Sequence, residues 1–474
     1  MINNRHFIIA FLIAAACTIG ATACGSDATQ PVVGPTADAA ATPVDAAEGV
    51  VDASQGIIDA GLDSDFGQVS TTYPAFLPQA PQVIAPSGGV SLSHMKVVPV
   101  FFPGENHEAE ILDMLAKYAA SPEWPEAVAE YGVGPLTVVA PIHVAEAFPS
   151  PTDDVSLRAW LDTRLNGARA EWGPTDAVTF ASSLYVLFAP SGAQVTASGG
   201  RKLCTDIYAY HWSMQLGKTG GVVDGGAGDA AATDAATMDG GADGGHAPIG
   251  TPVFHALIGR CSIPGLSELA GITSGLSHEL VESATDPYDL SPRWNGVDRP
   301  HANWGAALGT EIADLCVLPA PSYVTPPSLG YTLARSWSND RAMAGHDPCV
   351  PSAAGPYFNA VPDLPDMVFD SEARASVMGV NLSGSAPRTI ALRLYSDGPT
   401  AGPWSIRLVD RYAAFNQPAA LSLKLDKTTG QNGEIVHLTI QAVDLPVHRS
   451  ADFFIYSTLG GRDALWIGTA YRTE

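Results

Sequence analysis

Apolar and polar positions fall into two patterned regions, preceded by a stretch with no pattern. From 71 to 351, strand-like apolar runs mix with helical spacing. Met95–Phe102 predicts a buried strand. Glu105–Ala120 carries Ile111, Leu112, Leu115, Ala116 and Tyr118 at helical spacing. Leu136–Ile142 predicts a strand, Ser156–Ala170 a helix, and Ala177–Ala189 a strand-rich stretch. Thr205–Trp212 and Val253–Ile258 predict two more strands. Helices mixed with strands, without a strict βαβ repeat, point to an α+β domain. Between 361 and 474 the period shortens to two. Thr389–Tyr395, Trp404–Val409, Ala420–Leu425, Ile435–Ala442, Phe453–Ser457 and Leu465–Thr469 are separated by turn residues such as Gly430 and Gly433. That pattern predicts an antiparallel β-sandwich of immunoglobulin-like type, a packing or binding module without chemistry of its own.

The stretch Leu269–Pro287 stands apart. At 100° per residue, Leu269, Ile272, Leu276, Leu280 and Ala284 form a core stripe. His278 and Glu282, four apart, share the opposite side with Gly271 and Gly275. Glycine weakens a helix by about 1 kcal/mol, so another backbone or a bound group is expected to come close there. Pro287 ends the helix. The spacing is that of the zinc helix His-Glu-x-x-His with Glu282 in the second ligand position, and a carboxylate is an acceptable zinc ligand.

Residues 1–24 have the form of an export signal: Arg5, a short apolar core Phe7–Ala16, then Ala21-Thr22-Ala23 before Cys24. The apolar run is short for a membrane span of ~20 residues. A cysteine directly after small residues resembles a bacterial lipobox, which implies lipid on Cys24; Cys17 is the weaker alternative. Gly25 is not the aspartate that retains lipoproteins at the inner membrane, so that resemblance favours the outer membrane or cell surface. Residues 25–70 are Ala, Asp, Gly, Pro and Thr-rich, a composition expected to form a disordered tether. Residues 217–250 are a similar low-complexity insert in a surface loop. Much of the net charge of −25 sits in these two segments, so it says little about a partner. It does exclude the basic patch that nucleic-acid binding needs. Beyond the signal there are four cysteines, an even number that favours disulfides in an exported chain. Cys204–Cys261 and Cys316–Cys349 is the favoured pairing of the three available, because each closes a local loop.

The order His278-Glu279-x-x-Glu282, Asp286-Pro287, then Glu311-Ile312-Ala313-Asp314-x-Cys316, resembles the phosphate-induced, or exordium-like, protein family. Gly88-Gly89-Val90, Val97–Phe102, Ser121–Trp124 and Asp347-Pro348-Cys349 carry the same resemblance, which covers roughly 85–351. The plant members lack the His-Glu pair that this chain keeps. The resemblance implies a fold akin to zinc peptidases, a zincin-like sheet-and-helix domain. By likeness to one class of such peptidases, Glu311 is the expected third ligand, with Asp314 bracing a ligand histidine. Asp286 and His301 are the other candidates for the third position, although Asp286 before a proline also suits a turn.

The expected chemistry is hydrolysis at a metal held by His278, Glu282 and Glu311, with Glu279 as general base. Zinc is the expected ion and calcium the alternative, because three carboxylates crowd the site. His211 and His255 are expected to be packed strand histidines; His211 could stabilise an oxyanion only by facing the cleft. The expectation is thus a lipid-anchored extracytoplasmic hydrolase of peptidase type. The alternative is a non-catalytic surface protein binding a peptide or a cell-surface polymer.

Overall fold

The computed structural model describes residues 67–86, 89–166, 172, 177–217, 250–288 and 293–474. The expected export signal with Cys24, most of the tether, and residues 218–249 of the insert lie outside the described residues.

The N-terminal region is built on one mixed sheet. Its first strand is β1 (Lys96–Phe101), followed by helices α1 (Glu108–Ala120) and α2 (Glu123–Val128). The expected strand at Leu136–Ile142 is two short ones, β2 (Thr137–Val138) and β3 (Ile142–His143), both parallel to β1. Pro141 lies between them and lacks the donor a continuous ladder requires. Next come β4 (Thr152–Asp153) and α3 (Asp154–Leu165), which starts where the Asp153 side chain accepts the Ser156 N–H. The 177–189 stretch opens as a helical turn, α4 (Ala177–Phe180), before β5 (Ser183–Phe188). Strand β6 (Val195–Thr196) pairs with β4. Strands β7 (Ala209–Gln215) and β8 (Pro252–Ile258) are antiparallel neighbours, so the insert joins two strand ends that already meet. The sheet order is β2-β1-β5-β8-β7, with β1, β5 and β8 parallel and β7 at the edge.

Helix α5 (Glu268–Thr285) lies on this sheet against β7 and β8. Ser267 caps its first turn by accepting the Ala270 N–H. Ile272, Leu276 and Leu280 share a core with Phe254, Ala256 and Ile258 of β8, while Val253 and Leu257 face a second core behind the sheet. The chain then forms α6 (Ala302–Leu308), the hairpin β9 (Tyr323–Val324) with β10 (Leu333–Ala334), β11 (Ser336–Trp337), α7 (Asn339–Met343) and β12 (Cys349–Val350). Strand β10 covers α5, and the Ala334 N–H donates to Ser277 Oγ at 2.9 Å. Disulfides join Cys204 to Cys261 and Cys316 to Cys349, the pairing favoured from the sequence.

The C-terminal region comprises β13 (Phe358–Pro362), β14 (Asp366–Asp370), β15 (Ala375–Leu382), β16 (Arg388–Ser396), β17 (Trp404–Asp410), α8 (Arg411–Ala414), β18 (Leu421–Leu425), β19 (Thr429–Gly430), β20 (Ile435–Ala442), β21 (Ser450–Leu459) and β22 (Arg462–Arg472). One sheet runs β13-β16-β20-β18 and the other β14-β15-β22-β21-β17-β19. The six expected strands are present, together with β13 to β15 ahead of them and the short β19 in the expected turn. The sheets are antiparallel except at one pair: β15 runs parallel to β22, with Gly379 opposite Thr469. No hairpin links these two strands, so nothing local imposes the antiparallel direction. One apolar core runs from Val83 and Leu92 through Trp304 to Trp466 and Ala470, so the two regions share their interior.

Candidate functional site

The polar side of α5 faces a cavity of about 500 Å³. Its wall carries His211, His278, Glu279, Glu282, Glu311 and Asp314. Glu279 and Glu282 are 4% and 3% exposed. Gly275 lets the helix approach the sheet: a Cβ there would stand 3.6 Å from Ala209 Cβ and 3.8 Å from Ile258 Cγ2. What comes close at Gly275 is thus the side chains of Ala209 on β7 and Ile258 on β8.

One turn of helix brings His278 Nε2 to 3.0 Å from Glu282 Oε2. Asp314 Oδ1 approaches the same nitrogen at 3.7 Å. Asp314 opens a short turn that ends at Cys316, so the Cys316–Cys349 bridge holds it in place. Gly309 is required beside it: its φ is +125°, and any Cβ would collide with the Asp314 carboxylate. Glu311 is set by a bridge to Asn295, whose side chain also donates to Asp286 Oδ2 at 2.6 Å.

His211 enters from the edge strand. It lies opposite Ala256 and points to the α5 side of the sheet. Its Nδ1 is 3.0 Å from Glu279 Oε2 and 3.9 Å from Glu282 Oε2, and its Nε2 is 3.6 Å from Glu311 Oε1. Burial works against its charged form, but Glu311 and then the hydrogen bond to Glu279 raise its pKa well above the usual histidine value. Burial raises the Glu282 carboxyl well above the ordinary range, helped by the charges of Asp314 and Glu279. Burial does the same to Glu311, with Glu282 next in effect. Asp314 is pushed up to about 7 by burial; His278 pulls it down, while Glu311 and Glu279 push it up.

Two groups in this wall have the geometry of a metal cluster: His278 with Glu282 and Asp314, and His211 with Glu279 and Glu282. Within each, one ligand atom per residue lies within 4.8 Å of the others. Asp314, expected as a brace, therefore stands next to His278, and Glu311, expected as a ligand beside His278, stands against His211. Asp286 closes the turn after α5: it accepts the Arg293 N–H at 2.7 Å. His301 is not brought to the cavity. It is buried near Trp466, with Nδ1 2.8 Å from Asp298, at the junction with the C-terminal region. His255 is a buried strand histidine on the far face, 3.9 Å from Asp154. His211 departs from that bland expectation. No short-range spacing signals it, because its partner Glu279 is 68 residues away.

No protein family matches this sequence, and no curated protein does. Among solved structures, domains 4 and 5 of the S-layer protein SbsC are similar at 10% identity and a TM-score of 0.18, over 26% of this chain and 55% of that one. The titin M3 domain is similar at 9% identity and a TM-score of 0.16, over 25% of this chain and 97% of its own length. The twitchin kinase region from C. elegans matches at 13% identity and a TM-score of 0.16, over 25% of this chain and 16% of that chain. Likeness at this level carries no argument about function.

Proposed function

We propose that this chain is an extracytoplasmic, metal-dependent hydrolase acting on peptide bonds, with its centre between α5, β7 and the Glu311–Cys316 segment. The observation that carries the reading is Glu282 Oε1, which is buried without a hydrogen-bond partner among the described residues, in a wall that also holds two imidazoles. A buried carboxylate is costly unless a cation or hydrogen bonds compensate it. The donors fit a metal: His278, Glu282 and Asp314 would hold it. Imidazole nitrogen suits zinc better than calcium, which takes oxygen ligands. A divalent ion there would supply Lewis-acid polarisation of a carbonyl and a lowered pKa for water.

The chain's own residues do the rest. Glu279 is the general base, and its carboxylate is held by the 3.0 Å hydrogen bond from His211. His211 is a positioning residue in this reading. The cavity keeps the base and both imidazoles largely out of bulk water, which strengthens each electrostatic contact. Two disulfides support an oxidising, extracytoplasmic compartment. No helix among the described residues is long and apolar enough to cross a membrane. In this reading lipid at Cys24 attaches the chain to the membrane. The exordium-like resemblance and the zincin-like fold belong to the same reading, as does an immunoglobulin-like role for the C-terminal sheets in binding a surface polymer.

The test is peptide hydrolysis by the purified protein before and after chelation, with a Glu279→Gln control. Loss on chelation, recovery with zinc, and a 10²–10⁴-fold lower kcat in Glu279→Gln with metal retained is the expected result. Equal activity without metal would sink the reading. Metal bound but no peptide cleaved would leave a structural centre in a binding protein.

A further inference from the structure

Four carboxylates, Glu279, Glu282, Glu311 and Asp314, gather beside two imidazoles on the cavity wall. Among the described residues, the ion-pair partners of Glu279, Glu282, Glu311 and Asp314 are the two imidazoles, with no lysine or arginine. The arginines that line the same cavity are engaged elsewhere. Arg335 is held by Asp347 and the carbonyls of Pro321, Cys349 and Pro351, and Arg201 reaches the Ser198 carbonyl at 3.4 Å. With all four carboxylates ionised, one divalent ion would leave two negative charges over in a sheltered wall, which is unfavourable.

The donors also divide in space. His278 and His211 both approach Glu282 Oε2, at 3.0 and 3.9 Å, but belong to separate groups of donors. Each imidazole has a carboxylate of its own, Asp314 for His278 and Glu279 for His211, and the two groups share Glu282. The other Glu282 oxygen is buried and unpartnered. Glu311 lies against the second nitrogen of His211, where a carboxylate orients a ligand imidazole. Paired-metal sites are built in this way, with ions about 3.5–4 Å apart and both acting on one substrate.

We propose that the cavity binds two divalent cations bridged by Glu282, one on His278 and Asp314, the other on His211 and Glu279. The proposal rests on the metal reading above and extends it. The ions belong to the class that accepts mixed imidazole and carboxylate ligands, such as Zn²⁺ or Mn²⁺. The cysteines near the site are in disulfides and offer no thiolate for a softer metal. With the second ion bound, His211 Nδ1 would ligate it in place of the hydrogen bond to Glu279, and Glu279 would give that ion one oxygen and keep the other as base.

The experiment counts ions. The full chain is stripped with a chelator, titrated with Zn²⁺ by calorimetry, and its bound metal measured after dialysis. Two ions per chain are expected. His211→Ala and His278→Ala should each retain one, and Glu282→Gln should weaken both by at least tenfold. Electron paramagnetic resonance of Mn²⁺-loaded protein gives a second readout. An exchange-coupled signal in the parent should become an isolated six-line spectrum in either histidine variant. One ion per chain, unaffected by His211→Ala, overturns this inference and leaves the hydrolase reading standing. Two ions without exchange coupling overturn the bridge through Glu282. No bound ion overturns both. Circular dichroism of each variant separates a lost ligand from a lost fold, and His211→Asn, which keeps size and polarity, should lose the same single ion.

Discussion

Glu282 shows how one residue can serve a site at the expense of the fold. Its carboxylate is 3% exposed, and one oxygen has no partner. In metal-free protein, Glu282→Gln should raise stability by ~1–3 kcal/mol, since it removes a buried carboxyl whose Oε2 meets His278 and His211 but whose Oε1 has no partner among the described residues. Urea unfolding monitored by fluorescence measures this, and a destabilised variant would show that the carboxylate is compensated already. The helical pair His278 and Glu282 was legible from spacing alone, because i and i+4 meet on any helix. His211 was not. Its contacts with Glu279 and Glu311 come from β7 lying beside α5, and no local pattern encodes that neighbour. Asp314 and Glu311 entered as candidates through likeness to a class of zinc peptidases; which histidine each stands beside depends on where the turn at Asp314–Cys316 sits.

At the scale of elements, α5 is placed by what lies under it. The space at Gly275 admits a Cβ at ordinary contact distances. Gly275→Ala should therefore be tolerated or add ~0.4–1 kcal/mol by lowering the entropy of the unfolded chain. Gly275→Leu should lift α5 from β7, separate Glu279 from His211, and lower metal affinity. Thermal melts together with metal titration distinguish the two variants. The Cys316–Cys349 bridge acts on the same site from the other wall, closing a sequence separation of 33 next to Asp314. Replacing both cysteines by alanine should cost about 2–5 kcal/mol and weaken metal binding; unchanged binding would show that Asp314 is held without the bridge. Most strands and the long helices followed their apolar periods. The splits and additions came at Pro141, at the helical turn before β5, at the short elements from α6 to β12, at the five-residue β13 and β14, and at the eight-residue β15.

Across the whole molecule, the two regions are not separate beads. Trp304 of α6 packs edge-on against Trp466 of β22, with ring centroids 5.7 Å apart. Arg411 pairs with Asp452 at 2.9 Å and donates to the Ala306 carbonyl, also at 2.9 Å. Asn303 donates to Thr469, which donates to Asp452. The segment after Gly67 hydrogen-bonds to Asn432 of the C-terminal region before the chain enters the N-terminal one. A fragment ending at 356 should be insoluble or unfolded, since it bares Trp304 and its neighbours; a cooperative melt from that fragment would refute this. Burial, then Asp370, raises the Asp452 carboxyl well above the usual range, against the pull of Arg411. A raised folded pKa means that the folded state keeps a proton the unfolded chain has lost. This contribution to stability is complete below about pH 4 and is lost as pH rises through the folded value. Asp452→Asn should flatten the decline of melting temperature between pH 4 and 8. An unchanged slope would exclude Asp452 as its source.

The amino-acid sequence by itself determined what depends on near neighbours. That includes the buried strand at β1, the amphipathic α5 with its His-Glu-x-x-Glu face, the alternating strands of the C-terminal region, and the loop-closing cysteine pairs. Each is a periodicity or spacing that survives in any tertiary setting. Only the tertiary structure decided which acids stand beside His278, that an edge-strand histidine joins them, that β15 runs parallel to β22, and that the two regions share one core. Those outcomes depend on residues tens to hundreds of positions apart. Close packing sets their distances, and no short window of sequence records it.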